Sequence, residues 1–125
     1  LEERQGILPF PFRAPPSLPE RTDGGSTVRF EPLGDLDSVR RQGLDQENCL
    51  GRSPVLLREL LSGDLSLYRV VATPREVPDT LVATLSVSRE GGALTVRELL
   101  LHRNSRPPDW LTEGVAAAVR AAAGA

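Results

Sequence analysis

Two alternating runs of apolar and polar residues, separated by adjacent glycines, constrain the fold more than any other feature of this sequence. The first run spans residues 80–90, the glycines are Gly91 and Gly92, and the second run spans residues 93–102. Alternation with a period of two is typical of half-buried strands, and a two-residue glycine loop is typical of a tight hairpin. The sequence therefore predicts an antiparallel β-hairpin over residues 80–102.

The segments around the hairpin complete an α+β pattern. Residues 65–72 also alternate, which predicts a third strand. Cap residues predict three helices, which run from Asp35 to Gly43, from Ser53 to Gly63, and from Asp109 onwards. We therefore expect a three-stranded antiparallel β-meander with helices packed on one face of the sheet.

The first quarter of the chain differs in composition from the rest. Residues 1–26 contain five prolines, each of which fixes φ and lacks a backbone N–H donor. We expect an extended proline-rich arm or linker over residues 1–26 and a single α+β domain over residues 27–125. Residues 29–33 are predicted to form a short strand. Because the first residue is Leu1 rather than methionine, we expect the chain to be a module of a longer protein.

Composition narrows the classes of partner and compartment. The formal net charge is −2 at pH 7, so no overall positive field attracts nucleic acid or an anionic membrane. No run reaches the about 18–20 apolar residues of a membrane span, and the N-terminus lacks a signal-peptide pattern. A single cysteine, Cys49, forms no internal disulfide and so indicates no oxidising compartment. We expect a cytoplasmic protein without membrane contact.

Strict alternation across the hairpin places two charged residues among apolar ones. Arg69 and Glu98 then lie on the two strands that flank the central one, and their long side chains meet across small Ala83. They form either a buried ion pair or the lining of a polar functional pocket. The alternative is a β-bulge near Arg97 that turns Glu98 outward and buries Leu99 and Leu101.

The single cysteine and the single histidine are the candidate catalytic groups. Cys49 precedes the predicted Ser53 helix start by four residues, and a helix N-terminus lowers the pKa of a nearby thiol. A Cys49–His102 pair is therefore one hypothesis, and Arg69 and Glu98 are the further candidates for its pocket. A buried structural cysteine and a surface histidine are the alternative. Since one Cys and one His lack the paired spacing of a metal site, neither a metal nor a cofactor is predicted.

The residues that follow His102 form a basic polar turn. Arg103, Asn104 and Arg106 are candidate phosphate-contacting residues, and the alternative is that they are simply solvated. Asn48, next to the cysteine, is a further candidate binding residue.

The order of these signals resembles the PcfJ-like domain of mobile-element and conjugative-plasmid proteins. The shared pattern covers about residues 33–122 and rests on Gly43, Asn48, Cys49, Leu50, Gly51, Gly63, Leu67, Tyr68, Arg69, Thr84, Glu98 and Asn104. The sequence departs from that pattern at three places. Asn48 stands where a histidine is common, Glu98 stands where a glutamine is usual, and residues 52–53 replace a Gly-Tyr pair. The resemblance implies a mobile-element setting and groups Cys49, Arg69, Glu98 and Asn104, but it supplies no mechanism.

Three hypotheses for function follow from the sequence. The first is an accessory interaction domain without catalysis, which binds a protein partner as a module of a longer mobile-element or phage-associated protein. The second is a small enzyme that uses Cys49 with Arg69 and His102 in a polar pocket. The third is a nucleic-acid-contacting module that uses its arginines, although one Trp and one Tyr provide few stacking platforms.

Overall fold

A single antiparallel sheet with helices organises the chain. The computed structural model describes residues 15–23, 25–47, 54–75, 80–91 and 93–123. Five strands lie in the sheet in chain order: β1 (Arg21–Asp23), β2 (Ser26–Pro32), β3 (Leu65–Thr73), β4 (Leu81–Glu90) and β5 (Ala93–Leu100). The helices are α1 (Leu36–Gln46), α2 (Pro54–Ser62) and α3 (Asp109–Ala123), and a 3₁₀ turn over His102–Asn104 follows β5. The predicted α+β class is confirmed. None of the described helices is long and apolar enough to cross a membrane.

The sheet has five strands, so the prediction of three is wrong. The short strand predicted over residues 29–33 begins earlier, at Ser26, and is β2. Strand β1 pairs with it, so these two strands precede the predicted meander both in the sequence and in the order of the sheet. Among the described residues, regular structure therefore starts at Arg21, inside the segment that the prolines were predicted to keep irregular. The physical reason is that residues 20–31 contain no proline, so every position of the two strands except Pro32, the last residue of β2, keeps its backbone donor.

Helices cover both faces of the sheet, so the prediction of helices on one face is also wrong. Side chains alternate between faces along a strand, and those of β3 enter two different cores. One core, the α3 core, contains Tyr68, Val70 and Ala72 of β3 together with Leu111, Val115, Ala118 and Val119 of α3. The other, the α1–α2 core, contains Leu65 and Leu67 of β3 with Leu33, Val39 and Leu60.

The end of the proline-rich segment is attached to the α3 core. Leu18 is buried there, and the Tyr68 hydroxyl donates a hydrogen bond to the Pro16 carbonyl. Tyr68 has no exposed surface, and its burial raises the pKa of the phenol to about 12. Residues 15–20 are thus packed against the domain, whereas residues 1–14 of the predicted arm lie outside the described part of the chain.

Helix α1 begins as predicted and ends later. The Asp35 carboxylate accepts the Ser38 N–H at 2.8 Å, and the Ser38 hydroxyl accepts the Asp35 N–H at 3.3 Å, which is a capping box. The predicted end at Gly43 is wrong, because the helix continues to a cap at Glu47, whose φ is +51°. Gly43 is buried, and a glycine inside a helix is tolerated where the helix packs closely. The predicted end of α2 is confirmed by Gly63, whose φ is +86°.

The β4–β5 hairpin contains a β-bulge. Its pairs run Glu90↔Ala93, Val87↔Val96, Ser86↔Glu98 and Leu85↔Leu99. Strict alternation is therefore wrong beyond the second of these pairs, because Arg97 is an extra residue. Glu98 is exposed and Leu99 is buried, so the bulge is confirmed. Leu101, which was predicted to be buried with Leu99, lies beyond the end of β5 and is only half-buried.

The bulge brings Arg97 to helix α2. Its two terminal nitrogens donate to the two carboxylate oxygens of Glu59 at 2.9 and 2.7 Å. Such paired, parallel hydrogen bonds are the strongest geometry available to an arginine and a carboxylate. The hydrogen bond from Arg97 lowers the pKa of the Glu59 carboxyl below its usual range. The bulge is thus accompanied by a specific contact between β5 and α2.

The hairpin turn depends on the left-handed conformation of Gly91. Its φ is +57°, and no atom beyond Gly91 and its two chain neighbours lies within 4 Å of the position that a Cβ would take. The cost of a side chain there is therefore backbone strain alone. We expect Gly91→Val to lower the free energy of unfolding by on the order of 1–2 kcal/mol, as measured by urea denaturation.

Gly91→Asn is the matched control for this prediction. Asparagine tolerates the left-handed region far better than valine, so this variant should unfold close to the wild-type midpoint. Two variants that unfold at the same denaturant concentration would show that the turn does not require positive φ at this position.

Candidate functional site

An open groove of about 690 Å³ lies between α1 and the sheet. We call it the α1 groove. Its lining residues are Glu31, Pro32 and Leu33 at the end of β2, Ser38, Arg41, Gln42, Leu44 and Asp45 on α1, and Arg69 on β3. Four of the α1 residues recur at helical spacing, which places them in one stripe along the helix. The groove therefore has two sides. We call the side formed by α1 the wall, and the side formed by the end of β2 and by β3 the floor.

The wall is joined to the central strand by a buried glutamine. Gln42 is only 3 % exposed, and its Nε2 donates to Thr84 Oγ1 at 2.8 Å and to the Ala83 carbonyl at 3.2 Å. Thr84 lies on β4 and is itself buried. A buried amide is stable only when it is hydrogen-bonded. These two bonds thus hold the middle of α1 over the sheet.

The floor contains Arg69, paired with a carboxylate that the sequence analysis did not consider. Arg69 Nη1 donates to Glu31 Oε1 at 3.2 Å, and Arg29 Nη2 donates to Glu31 Oε2 at 2.9 Å. The predicted Arg69–Glu98 pair is wrong for two reasons. The bulge turns Glu98 outward, and β2 places Glu31 directly beside Arg69 on the neighbouring strand.

The two arginines keep Glu31 ionised. The hydrogen bond from Arg29, and then that from Arg69, lower the pKa of the Glu31 carboxyl, although partial burial opposes the shift. The carboxylate therefore remains an anion at neutral pH and is a poor proton acceptor there. The floor therefore presents a carboxylate anion, Glu31, and a guanidinium cation, Arg69, that are hydrogen-bonded to each other.

We expect Arg69 to be coupled to Glu31 and not to Glu98. In a double-mutant cycle by urea denaturation, the Arg69–Glu31 pair should show a coupling free energy of about 0.2–1 kcal/mol, because both side chains are partly exposed. Glu98→Leu should cost well under about 1 kcal/mol and add to Arg69→Leu. A coupling above about 2 kcal/mol between Arg69 and Glu98 would contradict the bulged register.

A second polar cluster lies at the C-terminal end of α1. His102 Nε2 lies 2.8 Å from Glu47 Oε2, and Arg103 Nε donates to Glu47 Oε1 at 3.0 Å. These hydrogen bonds, from His102 first and then from Arg103, lower the pKa of the Glu47 carboxyl. The sequence analysis singled out the histidine and the arginine but missed Glu47. Its only signal was its place just before the Asn48–Cys49 pair.

The remaining predicted site residues are not brought together. Arg69 and His102 bond to different carboxylates, and the exposed Glu98 side chain has no hydrogen-bond partner among the described residues. The side chains of Asn104 and Arg106 are exposed and likewise bond to no other described residue. Cys49 and Asn48 lie outside the described part of the chain, so the Cys49–His102 pair stays a prediction.

Comparison of the chain with known proteins identifies no relative. None of the protein-family models, curated proteins or solved structures compared with the chain matches it. Over the residues that the structure describes, no three His, Cys, Asp or Glu side chains converge on one point as a metal site. The resemblance to the PcfJ-like domain therefore stays a prediction, and function has to be argued from the α1 groove and the cluster around Glu47.

Proposed function

We propose that this chain is an interaction domain, which binds a segment of a protein partner in the α1 groove and performs no catalysis there. The observation that carries the proposal is the groove itself, an open volume of about 690 Å³ with a charged floor and a helical wall. Two of its charged groups, Glu31 and Arg69, are hydrogen-bonded to each other, which suits recognition of a charge pattern better than proton transfer.

The floor favours a partner that presents a carboxylate. Arg69, which lines the groove, shares the single carboxylate of Glu31 with Arg29, which is not one of the lining residues. Arg69 donates to Glu31 through one nitrogen only, although a guanidinium has five N–H donors, and its side chain is 37 % exposed. An acidic side chain in the groove can accept these remaining donors, in the bidentate geometry that arginine and carboxylate prefer.

The wall favours an apolar residue next to that acidic one. Leu44 lines the groove and is 80 % exposed, the most exposed of the large apolar side chains in the described residues. Leu33 also lines the groove, although most of its side chain is buried in the α1–α2 core. We therefore infer that the partner segment is an extended peptide in which an acidic residue accompanies an apolar one.

We further infer that this binding serves a longer mobile-element or phage-associated protein of which the chain is a module. The support for this setting is the resemblance to the PcfJ-like domain. The binding proposal does not depend on it, because the binding proposal is argued from the groove alone.

Selection from a random peptide library displayed on phage tests the binding proposal. We expect the folded chain to enrich peptides that combine Asp or Glu with a neighbouring apolar residue. Arg69→Glu should weaken binding of a selected peptide at least about tenfold, and Leu44→Ala should weaken it by several-fold. The matched control is Arg120→Glu, which makes the same charge reversal at an exposed position of α3 and should leave the affinity unchanged.

Two results would overturn the proposal. One is enrichment of peptides whose binding is equally sensitive to Arg120→Glu and to Arg69→Glu. The other is a chain that selects no peptide but binds DNA or RNA with a steep salt dependence, which would favour the nucleic-acid hypothesis.

A further inference from the structure

Backbone strain is concentrated at the end of α1. In the described part of the chain, three residues other than glycine have positive φ: Glu47 at +51°, Arg103 at +55° and Asn104 at +60°. This conformation is unfavourable for residues with a Cβ and persists only where surrounding contacts enforce it. Two of the three, Glu47 and Arg103, are hydrogen-bonded to each other. The end of α1 and the turn after β5 thus each contain a strained residue, and these two residues contact each other.

The contacts at this junction form a clamp. Glu47 is the C-cap of α1, and its carboxylate bonds to His102 on one oxygen and to Arg103 on the other. The turn that supplies these partners is closed on itself, because the Leu101 N–H donates to the Ser105 carbonyl at 2.8 Å and the Ser105 hydroxyl donates to the His102 carbonyl at 2.7 Å. A self-closed turn is a firm support for the end of a helix.

Apart from the hydrogen bonds that Gln42 donates to β4, the second half of α1 has few contacts that hold it. The first half contributes Val39 and Leu36 to the α1–α2 core. The second half buries Gln42, Gly43 and Gln46 instead, so it gains little from apolar burial. Gln46 is 4 % exposed, and its side-chain oxygen has no hydrogen-bond partner among the described residues. Such an element is expected to open locally before the rest of the domain does.

We propose that the Glu47–His102–Arg103 clamp holds the second half of α1 in place and thereby sets the wall of the α1 groove. The wall residues Gln42, Leu44 and Asp45 lie within the five positions before Glu47. When the clamp opens, this half of the helix loosens and the groove loses its shape. The consequence for binding rests on the proposed function, whereas the mechanical role of the clamp does not.

Amide hydrogen exchange of the full chain, followed by mass spectrometry, tests the clamp. Glu47→Asn removes the carboxylate of the clamp, and Arg103→Asn removes the guanidinium group that donates to it. Both variants keep a residue that tolerates positive φ. Each variant should speed exchange of the amides of residues 42–46 about tenfold, and the double variant should go little further. Exchange in α3 and β4 should not change, which shows that the domain remains folded. Glu113→Gln, a charge loss at an exposed position of α3, is the control and should leave residues 42–46 unaffected.

The clamp is refuted if Glu47→Asn leaves exchange of residues 42–46 within about twofold of wild type, or if it speeds exchange equally in all elements. A selected peptide then tests the link to the groove, since Glu47→Asn should weaken its binding several-fold. Faster exchange with unchanged peptide affinity would refute control of the groove by the clamp. If no peptide is selected, the proposed function fails, but the exchange experiment still decides whether the clamp holds the helix.

Discussion

Replacing Leu85 by alanine is expected to lower the free energy of unfolding by about 2–5 kcal/mol. Leu85 has no exposed surface, lies on the central part of β4 and belongs to the α3 core. Its removal leaves a cavity bounded by the sheet and a helix, neither of which can collapse freely into it. Urea denaturation of the purified chain measures the change.

Leu44→Ala is the matched control for this prediction. Leu44 is 80 % exposed, so the same deletion should change stability by less than about 0.5 kcal/mol. Leu67→Ala, in the α1–α2 core and also without exposed surface, should cost as much as Leu85→Ala. A cheap Leu67→Ala would contradict the finding that both faces of the sheet are covered.

Replacing Gln42 by alanine is expected to cost on the order of 1–3 kcal/mol. The loss leaves the buried Thr84 hydroxyl and the Ala83 carbonyl without the hydrogen bonds that Gln42 donates. The neighbouring Arg41→Ala is the control. It removes only an exposed pair with Asp37 and should leave the free energy of unfolding close to that of the wild type.

The double variant Gln42→Leu with Thr84→Val sharpens this test. If the polar contact between helix and sheet is the reason for the loss, replacing both partners by apolar groups should recover part of it. The double variant is compared with the single variants Gln42→Leu and Thr84→Val. If the losses in free energy of unfolding of the two single variants simply add in the double variant, the Gln42–Thr84 hydrogen bond is not what holds α1 to the sheet.

Local signals predicted the local features of the fold. The glycine turn, the Asp35 cap and the stop at Gly63 each depend on a few adjacent residues, and each is present in the structure. The two covered faces were missed, although β3 does carry a signal for them. Its Tyr68 and Val70 are apolar at the positions where a half-exposed strand is polar.

Long-range contacts decided what the sequence analysis could not predict. The hairpin alone permits either the regular register or the bulge. The bulged register is the one in which Arg97 meets Glu59, on a helix 38 residues away in the chain. Similarly, Arg69 was singled out as a polar residue of interest, but its partner Glu31 comes from a strand that pairs with β3 across 38 residues. No local pattern encodes either choice.

The most direct test of the proposed binding site is a nuclear magnetic resonance titration of the ¹⁵N-labelled chain with a peptide selected by phage display. We expect amide shift changes at Glu31 and Leu33, at residues 38–45 and at Arg69, with little change along α3. The same titration of Arg69→Glu should show these changes only at about tenfold higher peptide concentration. Shift changes centred on α3 or on residues 102–106, and unaffected by Arg69→Glu, would contradict binding in the α1 groove.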